Sequence, residues 1–229
     1  MVTTFMNKAS QPGTMPPHAA PFEALGIVLI CFGWFILGSL QAVLGAGTGH
    51  GAGAAGGFTD TGFVTLLVWE LVLGAAALMV LHARRYPLHA LAPQPSWMGA
   101  LVGVGLYVCV VLLVTFVQPL VPPAASAIAE MVAGAHVSGP VVVLVSIVNG
   151  TYEEVFLLGY LMRGMRRHGA STAIGIAVLV RLLYHMYQGP AGAVSVVLCG
   201  LVFSVYYHYR GRLFPVVLAH IIADMAAFI

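Results

Sequence analysis

Residues 137–161 read VSGPVVVLVSIVNGTYEEVFLLGYL: an apolar run interrupted by two adjacent glutamates, Glu153 and Glu154, which then continues apolar. In water such a pair is a solvated helix face. In a hydrocarbon layer a carboxylate near the centre costs about 2.5–3.5 kcal/mol, so each needs a partner, a wet cavity or a chemical task.

The composition of the chain decides between the two solvents. Of 229 residues 60% are hydrophobic and only 7% are charged, and the mean hydropathy is +0.98. Soluble domains carry about 25% charged residues, so 7% cannot cover a water-facing surface. The expected fold is all-α, a polytopic transmembrane helical bundle. A net charge of +2 indicates no nucleic-acid surface. The three cysteines, Cys31, Cys109 and Cys199, lie in apolar stretches without CxxC spacing and read as buried free thiols. Residues 1–21 are polar and proline-bearing and read as a disordered N-terminus.

Apolar runs that could each cross a ~30 Å hydrocarbon layer occur near 24–45, 62–83, 98–120, 139–162, 172–189, 192–209 and 212–228. The connection 46–60 is glycine-rich, and 121–137 could hold a short interfacial helix. The basic residues sort by connection. Lys8 precedes the first run. Arg84 and Arg85 follow the second, Arg163, Arg166 and Arg167 the fourth, and Arg210 and Arg212 the sixth. The intervening connections hold no lysine or arginine. This alternation predicts about seven spans and a cytoplasmic N-terminus.

The polar residues inside the runs are Glu70, Asn149, Glu153, Glu154, Arg181, His185, His220 and Asp224. Asn149 and Glu153, Arg181 and His185, and His220 and Asp224 are each four apart and so share a helix face. Glu154 lies ~100° round from Glu153, so one helix cannot aim both equally at one point. At ~1.5 Å per residue from the arginines, Glu153 sits about 15 Å and His220 about 12 Å deep. The group could therefore share one level, in the cytoplasmic half or the middle of the layer, with access from the cytoplasmic side. Glu70 reads as a packing or snorkelling residue. Tyr184 and Tyr187 fit an aromatic belt or a cavity lining.

Water, a base and an oxyanion donor suffice for peptide hydrolysis. A desolvated carboxylate makes a better base. A neutral histidine can orient water or bind a metal, and His220 could donate to an oxyanion. Glu153, His185 and His220, with Asp224, could also ligate Zn²⁺ or another divalent metal, although no HExxH or GxSG motif is present.

Three motifs in order, EEVFLLGYL at 153–161, YHMYQGP at 184–190 and GRLFPVVLAHIIAD at 211–224, resemble the CPBP family. It comprises CAAX prenyl endopeptidases of the second type and bacteriocin-processing or self-immunity membrane proteins. The resemblance implies a CPBP-like catalytic helical domain over 138–229, preceded by three transmembrane helices over 22–137. It implies an intramembrane endopeptidase of a bacterial or archaeal plasma membrane, acting on a peptide or protein substrate that could be lipidated, among membrane lipids. It implies that Glu153 activates a water, that His185 helps hold it, and that His220 and Asp224 stabilise the oxyanion. Glutamate-dependent and metal-dependent chemistry both stay open. Two positions depart from the family pattern: Leu158 stands where the first motif has an arginine, and Arg181 where the second has a phenylalanine. Arg181 is expected to replace the missing partner of Glu154 across the helix interface, with Asn149 in support. The rival readings are a non-enzymatic immunity or binding protein, which Leu158 favours, and a proton-coupled transporter.

Overall fold

The computed structural model describes residues 21–47, 57–121 and 127–228. The N-terminal segment up to residue 20, most of the glycine-rich connection, and Pro122 and Pro123 lie outside the described residues. The described residues form α1 (Pro21–Gly47), α2 (Asp60–Ala83), α3 (Trp97–Val117), α4 (Ala127–Ala133), α5 (Gly139–Glu154), α6 (Ala170–His185), α7 (Gly189–Arg210) and α8 (Leu213–Ala226). Extended pairing among them is limited to one isolated bridge between Thr59 and His136. The molecule is an all-α membrane bundle.

Length and composition make Phe22–Gly45, Asp60–Ala83, Trp97–Leu120, Gly139–His168 and Ala170–Arg210 fit to cross a membrane. The last of these, 41 residues long, is a helical hairpin rather than one rod. Gly189 has φ 74°, a left-handed backbone that only glycine adopts without penalty. It lets α7 turn back and pack on α6. The fifth span therefore ends at His185, short of the 189 expected from hydropathy. The final helix has 14 residues, about 21 Å of rise, less than a full hydrocarbon thickness. The short helix expected between 121 and 137 is α4.

α5 is the axis of the bundle. Its membrane window is 61% buried, against 11% for α3. Apolarity is not the reason, since α3 is the more apolar of the two spans (mean hydropathy 2.7 against 1.7). Asn149, Glu153 and Glu154 must face protein or a cavity rather than lipid, and the seven residues Phe156 to Met162 that follow them are buried with them. Two apolar clusters form on its sides. One joins Phe32 of α1, Leu81 of α2, Tyr152, Tyr160 and Tyr184. The other joins Val110 of α3, Leu158, Met162, Phe203 of α7 and Val216 of α8. The outward faces of α1 to α3 expose Trp34, Leu71, Leu101, Leu112 and Phe116, a surface suited to lipid and not to water.

From Val155 to Met162 the axis helix widens into a π-helix. Such segments are rare and often sit at functional sites. This one begins directly after Glu154.

Candidate active site

Three helices, α5, α6 and α8, bring intramembrane polar residues together around the ring of His220, which projects from α8. Its Nδ1 donates to Glu154 Oε1 at 2.7 Å. Its Nε2 lies 3.5 Å from Asp224 Oδ1 and 3.8 Å from Glu153 Oε2. The two adjacent glutamates thus address opposite nitrogens of one imidazole, as their ~100° offset requires. α5 and α8 can come this close because Gly150 carries no side chain. A Cβ there would stand 3.0 Å from Ile221 Cγ1 and 3.5 Å from His220 Cβ.

Glu154 is fully buried, and its Oε1 also accepts from Arg181 Nη2 of α6 at 2.5 Å. Arg181 is buried too, with its guanidinium over the Phe203 ring. Gly200 leaves room for its stem, since a Cβ there would lie 3.4 Å from Arg181 Cδ. A buried ion pair this close repays part of its desolvation cost, which neither partner could bear alone. Leu158 is buried in the apolar cluster that contains Phe203. The cation beside Glu154 therefore comes from α6 and not from the axis helix.

Glu153 is held differently. Its Oε2 accepts from the Tyr184 hydroxyl at 2.6 Å, and the Tyr184 ring stacks on Phe32 at 5.0 Å. Asn149 donates to Asp224 Oδ2 at 2.8 Å, so it supports the acid on α8 rather than its own helix neighbour Glu153. His185 ends α6. Its Nδ1 is 3.0 Å from the carbonyl of Arg181, which has no proton to give. The proton therefore sits on Nδ1, and in the neutral ring Nε2 keeps its lone pair.

A cavity of about 400 Å³ gathers Asn149, Glu153, His185, His220 and Asp224 on its wall, with Arg181 and Tyr184. The lining comes from the first half of α2, the second half of α3, the last turn of α6, the first half of α7 and the end of α8. These are the helix halves remote from Arg84, Arg163, Arg167, Arg210 and Arg212. The cavity therefore lies toward the helix ends away from these arginines, whereas the sequence reading expected access from the arginine-bearing side.

Residues 136–226 match the family model of the type II CAAX prenyl endopeptidase Rce1-like proteins. This segment is similar to that family over less than half of the chain, and the match supports the CPBP resemblance. The segment holds every residue just described around His220 except Phe32, and the match supports a membrane protease with a peptide or protein substrate. No curated protein and no solved structure matches the chain.

The family resemblance left a metal open, with Glu153, His185 and His220 as its ligands. Among the described residues, no three His, Cys, Asp or Glu side chains are grouped to hold one. His220 Nδ1 is already committed to Glu154, and Glu153 Oε2 to Tyr184. The donor set does not fit a metal in this arrangement, and no step below is routed through one.

Two residues of the site escaped the sequence reading. Tyr184, like Tyr187, suited a belt or a cavity lining, and both line the cavity, but nothing local distinguishes the one that bonds a carboxylate. Glu70, expected to pack or snorkel, is 2% exposed in mid-helix and lines the cavity. A snorkelling group reaches water from a helix end, so the snorkelling alternative does not hold, and Glu70 is packed inward at the cavity. The i, i+7 spacing of Phe63 and Glu70, continued by Gly74, Ala77 and Leu81 on the buried face of α2, was the available signal.

Proposed function

We propose that the protein is an intramembrane endopeptidase in which Glu153 activates a water for attack on a peptide carbonyl. The observation that carries this reading is the triply flanked ring of His220, placed on one cavity wall with Glu153 and His185.

The Tyr184 bond fixes one oxygen of Glu153 and leaves Oε1 to take a proton from water. The Nε2 lone pair of His185 accepts that water's other hydrogen and orients it. Attack places negative charge on the carbonyl oxygen. With Nδ1–H held by Glu154, His220 acts as the imidazolium, whose second proton, on Nε2, points at this oxyanion. At 3.5 and 3.8 Å its carboxylate neighbours are too distant to bind that proton firmly, which leaves it for the oxyanion. Asp224, itself held by Asn149, restrains the ring from the far side. Glu153 then passes the proton to the leaving amine. Arg181 acts through Glu154 and is a positioning residue. The loss of arginine at position 158 gives no support to an inactive protein, because Glu154 has its cation from elsewhere.

The test is hydrolysis itself. Purified protein in liposomes is incubated with a complex peptide mixture, and new termini are read by mass spectrometry. The wild type should create them and His220→Ala, folded to the same melting temperature, should not. Absence of new termini with the wild type overturns the reading.

A further inference from the structure

One carboxyl on the cavity wall takes no part in this chemistry. Glu70 comes from α2, outside the family-matched segment. It is 2% exposed, and its Oε2 has no hydrogen-bond partner among the described residues. Buried polar atoms are nearly always paired, and an intramembrane carboxyl without a partner is a functional group by default. Its position is enforced by packing. One turn on, Gly74 lies against the ring of Tyr152, where a Cβ would meet ring carbons at 3.3 Å. Tyr152 in turn donates to the Cys31 carbonyl at 2.6 Å. α2 is thus locked to α1 and α5 with Glu70 turned to the cavity.

The charges around it say what it would take. The wall holds the carboxyls of Glu70, Glu153 and Asp224, and among the described residues Arg181 is its one arginine or lysine. Arg181 is engaged by Glu154. A ligand carboxylate beside Glu70 would meet a carboxyl and no free lysine or arginine. A ligand ammonium or guanidinium would meet an unpaired carboxyl. On the same helix Phe63 and Leu66, two turns and one turn before Glu70, also line the cavity, which suits the stem of a long basic side chain.

We propose that Glu70 is a specificity-determining residue that receives a lysine or arginine side chain of the peptide substrate. The proposal rests on the hydrolase reading for the word substrate, but not for the binding it describes. The pocket takes a basic residue flanked by apolar ones, and disfavours a peptide whose free C-terminal carboxylate must enter it.

Binding separates the two claims. The probes are fluorescent, C-terminally amidated hexapeptides of leucine and phenylalanine carrying lysine, or its uncharged isostere norleucine, at each position in turn. Affinity is measured in liposomes for Glu153→Gln and for Glu153→Gln/Glu70→Gln. With Glu70 present, lysine at one position should bind about tenfold tighter than norleucine, the scale of one charged hydrogen bond. Glu70→Gln should erase that difference, and Glu70→Asp should restore part of it. A lysine preference that survives Glu70→Gln, or no preference with Glu70 present, overturns the proposal. If the preference follows Glu70 but the wild type leaves every bound peptide intact, the hydrolase reading falls and the basic-residue pocket stands.

Discussion

Glu154 serves two cationic or donor groups through one oxygen, Arg181 at 2.5 Å and His220 at 2.7 Å. Its two jobs are separable by substitution. Arg181→Leu leaves a buried carboxylate without its fixed cation and should cost about 3–5 kcal/mol of stability, read as a lowered unfolding midpoint in detergent. Arg181→Leu/Glu154→Leu should regain most of that stability and still fail to hydrolyse, because His220 Nδ1 has lost its acceptor. A double variant that is stable and fully active would reduce Glu154 to packing. Much of this residue network was legible beforehand. Four-residue spacing paired His220 with Asp224, and the exchange of family positions between Leu158 and Arg181 pointed to the cross-helix ion pair. The destination of the Asn149 amide was not legible. It depends on how α5 meets α8, and a face shared within one helix says nothing about the neighbour.

At the scale of the elements, the axis helix and its π segment set the register of the site. Leu158 lies in the same apolar cluster as Phe203, over whose ring Arg181 sits. Leu158→Arg alone buries a second cation among apolar groups and should destabilise by several kcal/mol, about the cost of an unpaired buried charge. Combined with Arg181→Phe, which restores the family pattern at both positions, it should be more stable than either single variant. Additive losses in that double-mutant cycle would mean the two arginine positions do not exchange. The close approach of α5 and α8 is a separate requirement. Gly150→Val should push Ile221 and His220 away and lower hydrolysis more than it lowers the unfolding midpoint. The helices themselves were readable from hydropathy, because a membrane demands ~20 apolar residues per crossing. The π segment was not, since its wider turns leave no mark in a stretch that is apolar on nearly every face.

At the scale of the whole molecule, the cavity occupies the half of the bundle away from the arginines, a position the sequence did not foretell. Charge alternation orders the helix ends, but a cavity is a property of packing between helices remote in sequence. The consequence can be measured. With a cysteine in place of Phe228, which lines the cavity, a bulky membrane-impermeant thiol reagent should block hydrolysis. The same reagent on Arg167→Cys should leave it unchanged. Blockage only from position 167 would place the entrance at the arginine end. The central claim is that this cavity is a hydrolytic chamber whose base is Glu153. It is tested most directly by turnover of one cleaved peptide with wild-type protein and with Glu153→Gln, in liposomes, at matched folding and matched peptide binding. The account predicts that Glu153→Gln binds the peptide as before and lowers kcat by about 10²–10⁴-fold, the range of a lost general base. Cleavage by Glu153→Gln at the wild-type rate would contradict it.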